Sequence, residues 1–378
     1  MKKKIHIHNK SDKPYNIILK EHEIIEKCEE LEAELPVFLK GYYAYLKGNV
    51  LPMTRLAYLR DIRFFCKYLV NESGLTDSTD IRGINLCVFQ SIKAIDVNIF
   101  LDYCRRYKVE TEDTIIIYEN NKKTLARKRS SLSVLFKFLY RDELITINIT
   151  DAFDPIKLPK PGEKEIKALQ DDEVMKMLDA VTSGSSLTEK EKVYWEKTKR
   201  RDKAILVLFL TYGLRLSELQ QLNLTTLNFK RGEFKIYRKR GKETSMPINK
   251  SVLKVVKEYI EEERLSVKST DLDDQDALFL SLQGKRMTER QIRELVNKYT
   301  SIALETSRDS GYSPHKLRAT AATSLIGRGN SIFDVAALLD HENVTTTQLY
   351  TAHKKNVRRD LVNDMEWETE FDNMNNNK

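Results

Sequence analysis

The 378-residue chain has no apolar run near the length of about 20 residues that crosses a bilayer. Its opening Met1-Lys2-Lys3-Lys4-Ile5-His6-Ile7-His8 lacks the apolar segment of a secretory signal, so a cytoplasmic protein without a membrane partner is expected. Cysteine is scarce. All four, Cys28, Cys66, Cys87 and Cys104, lie in the first third at spacings that match no zinc pattern, and they read as buried free thiols in a reducing compartment. His6, His8 and His22 stand near Cys28, but their spacing is irregular and no second cysteine pair supports them, so no metal is expected. Glycine is missing where a nucleotide-binding loop needs it. Gly241-Lys242-Glu243-Thr244 ends like a P-loop, yet the upstream glycine is absent and strand-like segments flank the turn, which excludes that reading and leaves no cofactor to expect.

What is present describes an ordinary folded protein: 41% hydrophobic and 32% charged residues, in a chain long enough for two cores. The net charge of +8 favours a polyanionic partner, although charge alone would also suit a membrane surface. After a basic start, residues 19–34 turn helical and glutamate-rich. Apolar residues then recur at the helix period from Pro36 to Leu46, from Pro52 to Leu69, over 92–107 and over 122–141, with Gly48-Asn49 and Ser73-Gly74 as breaks. The last of these carries Lys122, Lys123, Arg127, Lys128, Arg129, Lys137 and Arg141 with no acid among them, opposite a stripe of Leu125, Leu132, Leu135, Phe136 and Leu139. A solvated face usually mixes signs, so phosphate contact is expected here, with Arg55, Arg60 and Arg63 as weaker candidates.

Three prolines and a glycine within residues 154–162 break the helical pattern and read as an extended linker. The expected division is an N-terminal extension (1–30), a helical domain (31–153), a linker (154–170), a second domain (171–362) and an acidic tail (363–378). The second domain should be mainly helical with a small antiparallel sheet, because residues 227–229, 233–238 and 244–249 alternate around a glycine-containing turn.

Candidate chemistry gathers in this second part. Thr211-Tyr212-Gly213-Leu214-Arg215-Leu216-Ser217-Glu218-Leu219 breaks a buried helix and starts the next with an arginine at the positive end of its dipole. That placement fits either a bound anion or a pairing with Glu218. In Tyr312-Ser313-Pro314-His315-Lys316-Leu317-Arg318, Ser313 caps, Pro314 opens the helix, and His315 and Arg318 share one face of its first turn. This is a phosphate-binding arrangement. Finally Leu339-Asp340-His341 is followed nine residues later by Tyr350.

Taken together and in this order, these motifs and the hairpin lysine resemble the tyrosine recombinase family, also called lambda-integrase-like or phage integrase proteins. The likeness covers both halves of the chain and is greatest to the Xer branch, especially the single-recombinase Xer proteins of Gram-positive bacteria. The resemblance implies a helical, SAM-like core-binding domain and an α/β catalytic domain that clamp a double-stranded DNA site. It implies a site-specific recombinase that cuts and rejoins strands through a 3′-phosphotyrosine and a Holliday junction. Four copies would assemble on two sites through exchange of C-terminal segments.

By the same resemblance Arg215 and Arg318 clamp the scissile phosphate, His315 is the acid/base and His341 a hydrogen-bond donor. Lys239, with Lys242 as the alternative if the hairpin register differs, protonates the leaving oxygen, and Tyr350 is the nucleophile. The DNA-contact candidates are Arg55, Arg60, Lys122, Lys123, Arg127, Lys128 and Arg129. Ala319 and Asp340 depart from the family's usual histidine and glycine, and the Asp340 carboxylate is expected to point away from the phosphate site. A type IB topoisomerase and a non-catalytic DNA-binding regulator are the competing readings. Chromosome dimer resolution and mobile-element movement stay open as the biological task, as do the DNA sequence recognised and any accessory protein.

Overall fold

The apolar stripes of the first half fold into helices that pack around one aromatic core. The computed structural model of the chain describes residues 13–158, 167–238 and 241–340, which fall into two compact units on either side of Pro159 and Lys160. In the first unit run α1 (Tyr15–Glu34), α2 (Lys40–Asn49), α3 (Pro52–Asn71), α4 (Leu86–Ser91), α5 (Ala94–Tyr103) and α6 (Lys122–Arg141). Tyr42, Phe65, Phe89, Phe100 and Phe136 are buried at its centre, where Phe65 meets Phe100 edge-on at 4.9 Å. Asn121 caps α6 by accepting from the Thr124 N–H, as a short polar side chain before a helix does.

The helix expected over 92–107 ends early. It stops at Tyr103, and its last two residues enter a hairpin absent from the sequence reading, β1 (Arg106–Glu110) paired antiparallel with β2 (Ile115–Glu119). The hairpin is anchored at its base by the stacked rings of Tyr103, Tyr107 and Tyr118.

The second unit is built on α9 (Lys199–Tyr212), whose Ala204, Ile205, Leu206, Leu208 and Phe209 are buried; α7 (Asp171–Ser183), α11 (Lys250–Glu262) and α13 (Pro314–Gly327) pack against it. A helix apolar nearly all round has to be enclosed. Also present are α8 (Glu189–Trp195), α10 (Leu216–Gln220), α12 (Glu289–Ala303) and α14 (Ile332–Leu339). Beside them lies a three-stranded antiparallel sheet, β3 (Leu227–Asn228), β4 (Glu233–Tyr237) and β5 (Glu243–Pro247), in that order. The fold is thus mainly helical with small antiparallel sheets. Among the described residues no helix is long and apolar enough to cross a membrane.

Two joints position the site. Gly213 ends α9 in the left-handed conformation (φ 57°), and a Cβ there would sit 2.5 Å from Leu339 Cδ2. Only glycine avoids both the strain and the clash. At the same end of α9, the Tyr212 hydroxyl donates to the Pro247 carbonyl at 2.8 Å and ties the helix to β5.

Candidate active site

Three arginines from three segments converge on the end of α14. Arg318, buried in the second turn of α13, donates through Nη1 to the Gly213 carbonyl at 2.7 Å and through Nη2 to the Leu339 carbonyl. Arg238 follows β4 and donates through Nη2 to the Leu338 carbonyl at 2.7 Å. Arg215, the N-cap of α10, donates through Nη2 to the Asp340 carbonyl at 2.8 Å. The last carbonyls of a helix lack intrahelical partners and carry its negative end, so guanidinium groups are stabilised there.

Arg215 is held a second time. Its Nη1 donates to Glu218 Oε1 at 2.7 Å, while its backbone N–H donates to Glu218 Oε2 at 2.8 Å. Glu218 is only 3% exposed, so the pairing with Glu218 is realised as a locked side chain at the start of α10.

The Asp340 side chain does not point away, contrary to expectation. Its carboxylate lies 3.5 Å from Arg215 Nη1, 3.7 Å from Arg238 Nη1 and 3.8 Å from Lys242 Nζ. The reason is local: Asp340 sits just past α14 in the left-handed region (φ 53°, ψ 52°), and this backbone turns the residue into the ring of cations. Arg238 was missed by the sequence reading, though a signal was available. Phe234 and Ile236 alternate as buried residues of β4, and the same period of two puts Arg238 on the inward face. Burial lowers its pKa from the ordinary arginine value, Glu218 opposes that, and the nearby charge of Arg215 adds to it.

Of the remaining candidates, His315 is exposed in the first turn of α13, one turn ahead of Arg318. Pro314 opens that helix after Ser313, whose side chain makes no capping hydrogen bond. Tyr237 pairs with Glu243 and the Arg238 N–H donates to the Lys242 carbonyl at 2.8 Å, which fixes the hairpin register on both sides of Lys239. Lys239, His341 and Tyr350 lie outside the described residues, as does the acidic tail.

Several of the basic candidates of the first unit have partners within the fold. Arg55, on α3, is 4% exposed and donates through Nε to Glu32 at 2.9 Å. Lys128 is also buried, 3.5 Å from Asp61 and 4.1 Å above the Phe64 ring, and Arg127 pairs with the same Asp61. Arg129 donates to the carbonyls of Asp154 and Phe153 at 2.9 and 3.0 Å. The counter-charge missing from α6 is thus supplied by α3. Arg60, Lys122 and Lys123 are exposed.

The described geometry therefore amounts to a cation cluster assembled across 125 residues of chain from Arg215 to Asp340. The pattern of the phage integrase family matches residues 167–357, just over half of the chain. The chain belongs to the phage integrase family. Among its relatives, the tyrosine recombinase XerC of Alcanivorax borkumensis is 34% identical over 229 residues, 61% of this chain and 68% of that protein. The tyrosine recombinase XerS of Streptococcus uberis is 29% identical over 347 residues, 87% of this chain and 95% of that one. The fold of this phage integrase family member is similar to that of the XerH site-specific recombinase in a post-cleavage complex with a palindromic difH substrate. The TM-score is 0.59 over 92% of this chain and 90% of that chain, at 16% identity. The matched span contains Arg215, Lys239, His315, Arg318, His341 and Tyr350.

Proposed function

We propose that this chain is a site-specific DNA recombinase that cuts and rejoins strands through a 3′-phosphotyrosine intermediate. The observation that carries the reading is the convergence of Arg215 and Arg318 on the end of α14, the segment that leads directly into His341 and Tyr350. Tyrosine recombinases stand among its relatives, and a site-specific recombinase bound to its DNA substrate shares its fold.

A phenol with a pKa near 10 is ionised in roughly one molecule per thousand at neutral pH, so it needs help both to attack and to approach an anion. Arg215 and Arg318 hold the nonbridging oxygens and take up the charge that grows on them in the transition state. Their guanidinium groups are already oriented by Glu218 and by the carbonyls of Gly213, Leu339 and Asp340, so little reorganisation remains at the moment of reaction. Losing one such preorganised donor typically costs about 2.7–4 kcal/mol of barrier. His315 serves as the acid/base, and Tyr350 attacks phosphorus. Lys239 gives its proton to the departing 5′ oxygen, which otherwise leaves poorly. His341 donates a hydrogen bond to the phosphate. The phosphotyrosine conserves the energy of the broken phosphodiester, so a 5′ hydroxyl of a partner strand reverses the step on a new duplex. Four copies act on two sites, with a Holliday junction between the two exchanges, and the exposed Lys122 and Lys123 of α6 meet the DNA backbone.

A nicked suicide duplex that loses its 5′ hydroxyl fragment on cleavage tests this. The wild-type chain accumulates a covalent protein–DNA adduct, and Tyr350→Phe does not; an adduct that persists in that variant refutes the assignment. Joined products between two duplexes, rather than relaxation of one, separate recombination from topoisomerase activity.

A further inference from the structure

Asp340 is placed where a helix ends in the left-handed conformation, the position that glycine occupies without strain. The chain keeps a carboxylate there, and three cations, Arg215 from the start of α10 and Arg238 and Lys242 from the β4–β5 hairpin, face it at 3.5–3.8 Å. These distances are long beside the 2.7–2.8 Å bonds by which Arg238 and Arg215 hold the Leu338 and Asp340 carbonyls. The backbone carbonyls therefore fix the guanidinium groups, whereas the carboxylate is held mainly by charge. With 27% of its side chain exposed, it can be reached and moved. Arg238 is buried, and its Nε has no hydrogen-bond partner among the described residues. A carboxylate and a phosphodiester are both monoanions with two equivalent oxygens, and both fit a guanidinium fork.

We propose that Asp340 is the resident counter-anion of the site: its carboxylate, between Arg215, Arg238 and Lys242, stands in the position of a DNA phosphate, and the phosphate has to displace it. This rests on the recombinase reading above. Asp340 thus sets a threshold. Without DNA it offsets part of the cluster's charge, and with DNA it discriminates between a phosphate pressed fully into the site by correct docking and one that only approaches.

The test uses the full chain with Asp340→Asn, which removes the charge and tolerates the left-handed backbone, and Asp340→Gly, which also relieves the strain. One measurement is single-turnover cleavage of the nicked duplex at limiting DNA. The other is the rise in unfolding temperature with inorganic sulfate, which reports anion affinity without any chemistry. Both variants should cleave at least about fivefold faster and bind sulfate tighter by a similar factor, the lower bound that removing one charge about 4 Å away implies. Unchanged sulfate affinity, or slower cleavage in both variants, overturns the proposal. Should Asp340→Asn not fold, Asp340→Gly carries the test; should neither fold, the carboxylate is a structural cap and the proposal falls. A wild-type chain that forms no adduct refutes the recombinase reading instead, and the sulfate measurement then still decides whether Asp340 guards an anion site.

Discussion

Replacing Gly213 with alanine tests how the end of α9 holds the site. Two costs can be worked from the structure. An L-residue at φ 57° pays roughly 1–2 kcal/mol for the left-handed backbone. The new Cβ would also lie 2.5 Å from Leu339 Cδ2, an overpacking that typically costs about 1–3 kcal/mol and less if the side chain yields. The sum is about 2–5 kcal/mol. For a unit of this size that lowers the transition temperature by roughly 4–20 °C. The yielding matters, because Leu339 cannot shift alone: its carbonyl and that of Gly213 are both acceptors for Arg318. Cleavage should therefore slow at temperatures where the variant is fully folded. The check is calorimetry with single-turnover cleavage at 20 °C below the transition. A cycle with Leu339→Ala should show positive coupling, since a smaller neighbour removes the clash but not the backbone strain. A loss below about 0.5 kcal/mol, or strictly additive costs in the double variant, would show that Gly213 and Leu339 are not coupled through this clash.

Asp61→Ala should destabilise the first unit by about 3–5 kcal/mol, because it leaves the Lys128 ammonium buried without its carboxylate; a shift in the urea midpoint worth less than 1 kcal/mol contradicts this. Lys128→Met combined with it should recover much of the loss, which would show that Lys128 serves the core and not DNA. Burial pushes the Cys66 and Cys104 thiols up to about 12 and raises that of Cys28, so each stays protonated and unreactive at pH 8. A thiol reagent should accordingly label the folded chain once, at the exposed Cys87, and the denatured chain four times, as read by intact mass.

Periodicity made α6 legible from Lys122 to Arg141, and a glycine-containing turn between alternating segments made β4 and β5 legible. The β1–β2 hairpin was not, since Ile115, Ile116 and Ile117 are all exposed and no burial imposes the alternation that marks a strand. The basic character of α6 was plain, but its use was not. A counter-ion 67 residues upstream, Asp61, holds Lys128 within the fold, and only tertiary structure reveals such a pairing. Arg215, His315 and Arg318 could be named because helix-start chemistry gives each a local signature. Arg238 had only the alternation of β4 to mark it as inward-facing, and Asp340 had no such signal, because their meaning lies in facing each other across 102 residues of chain.

The most direct measurement is to locate the covalent bond itself. Protease digestion of the trapped adduct, followed by mass spectrometry, should find a single modified peptide with a nucleotide 3′-phosphate on the Tyr350 oxygen. A nucleotide on any other residue, or a linkage through a 5′-phosphate, would contradict the recombinase reading.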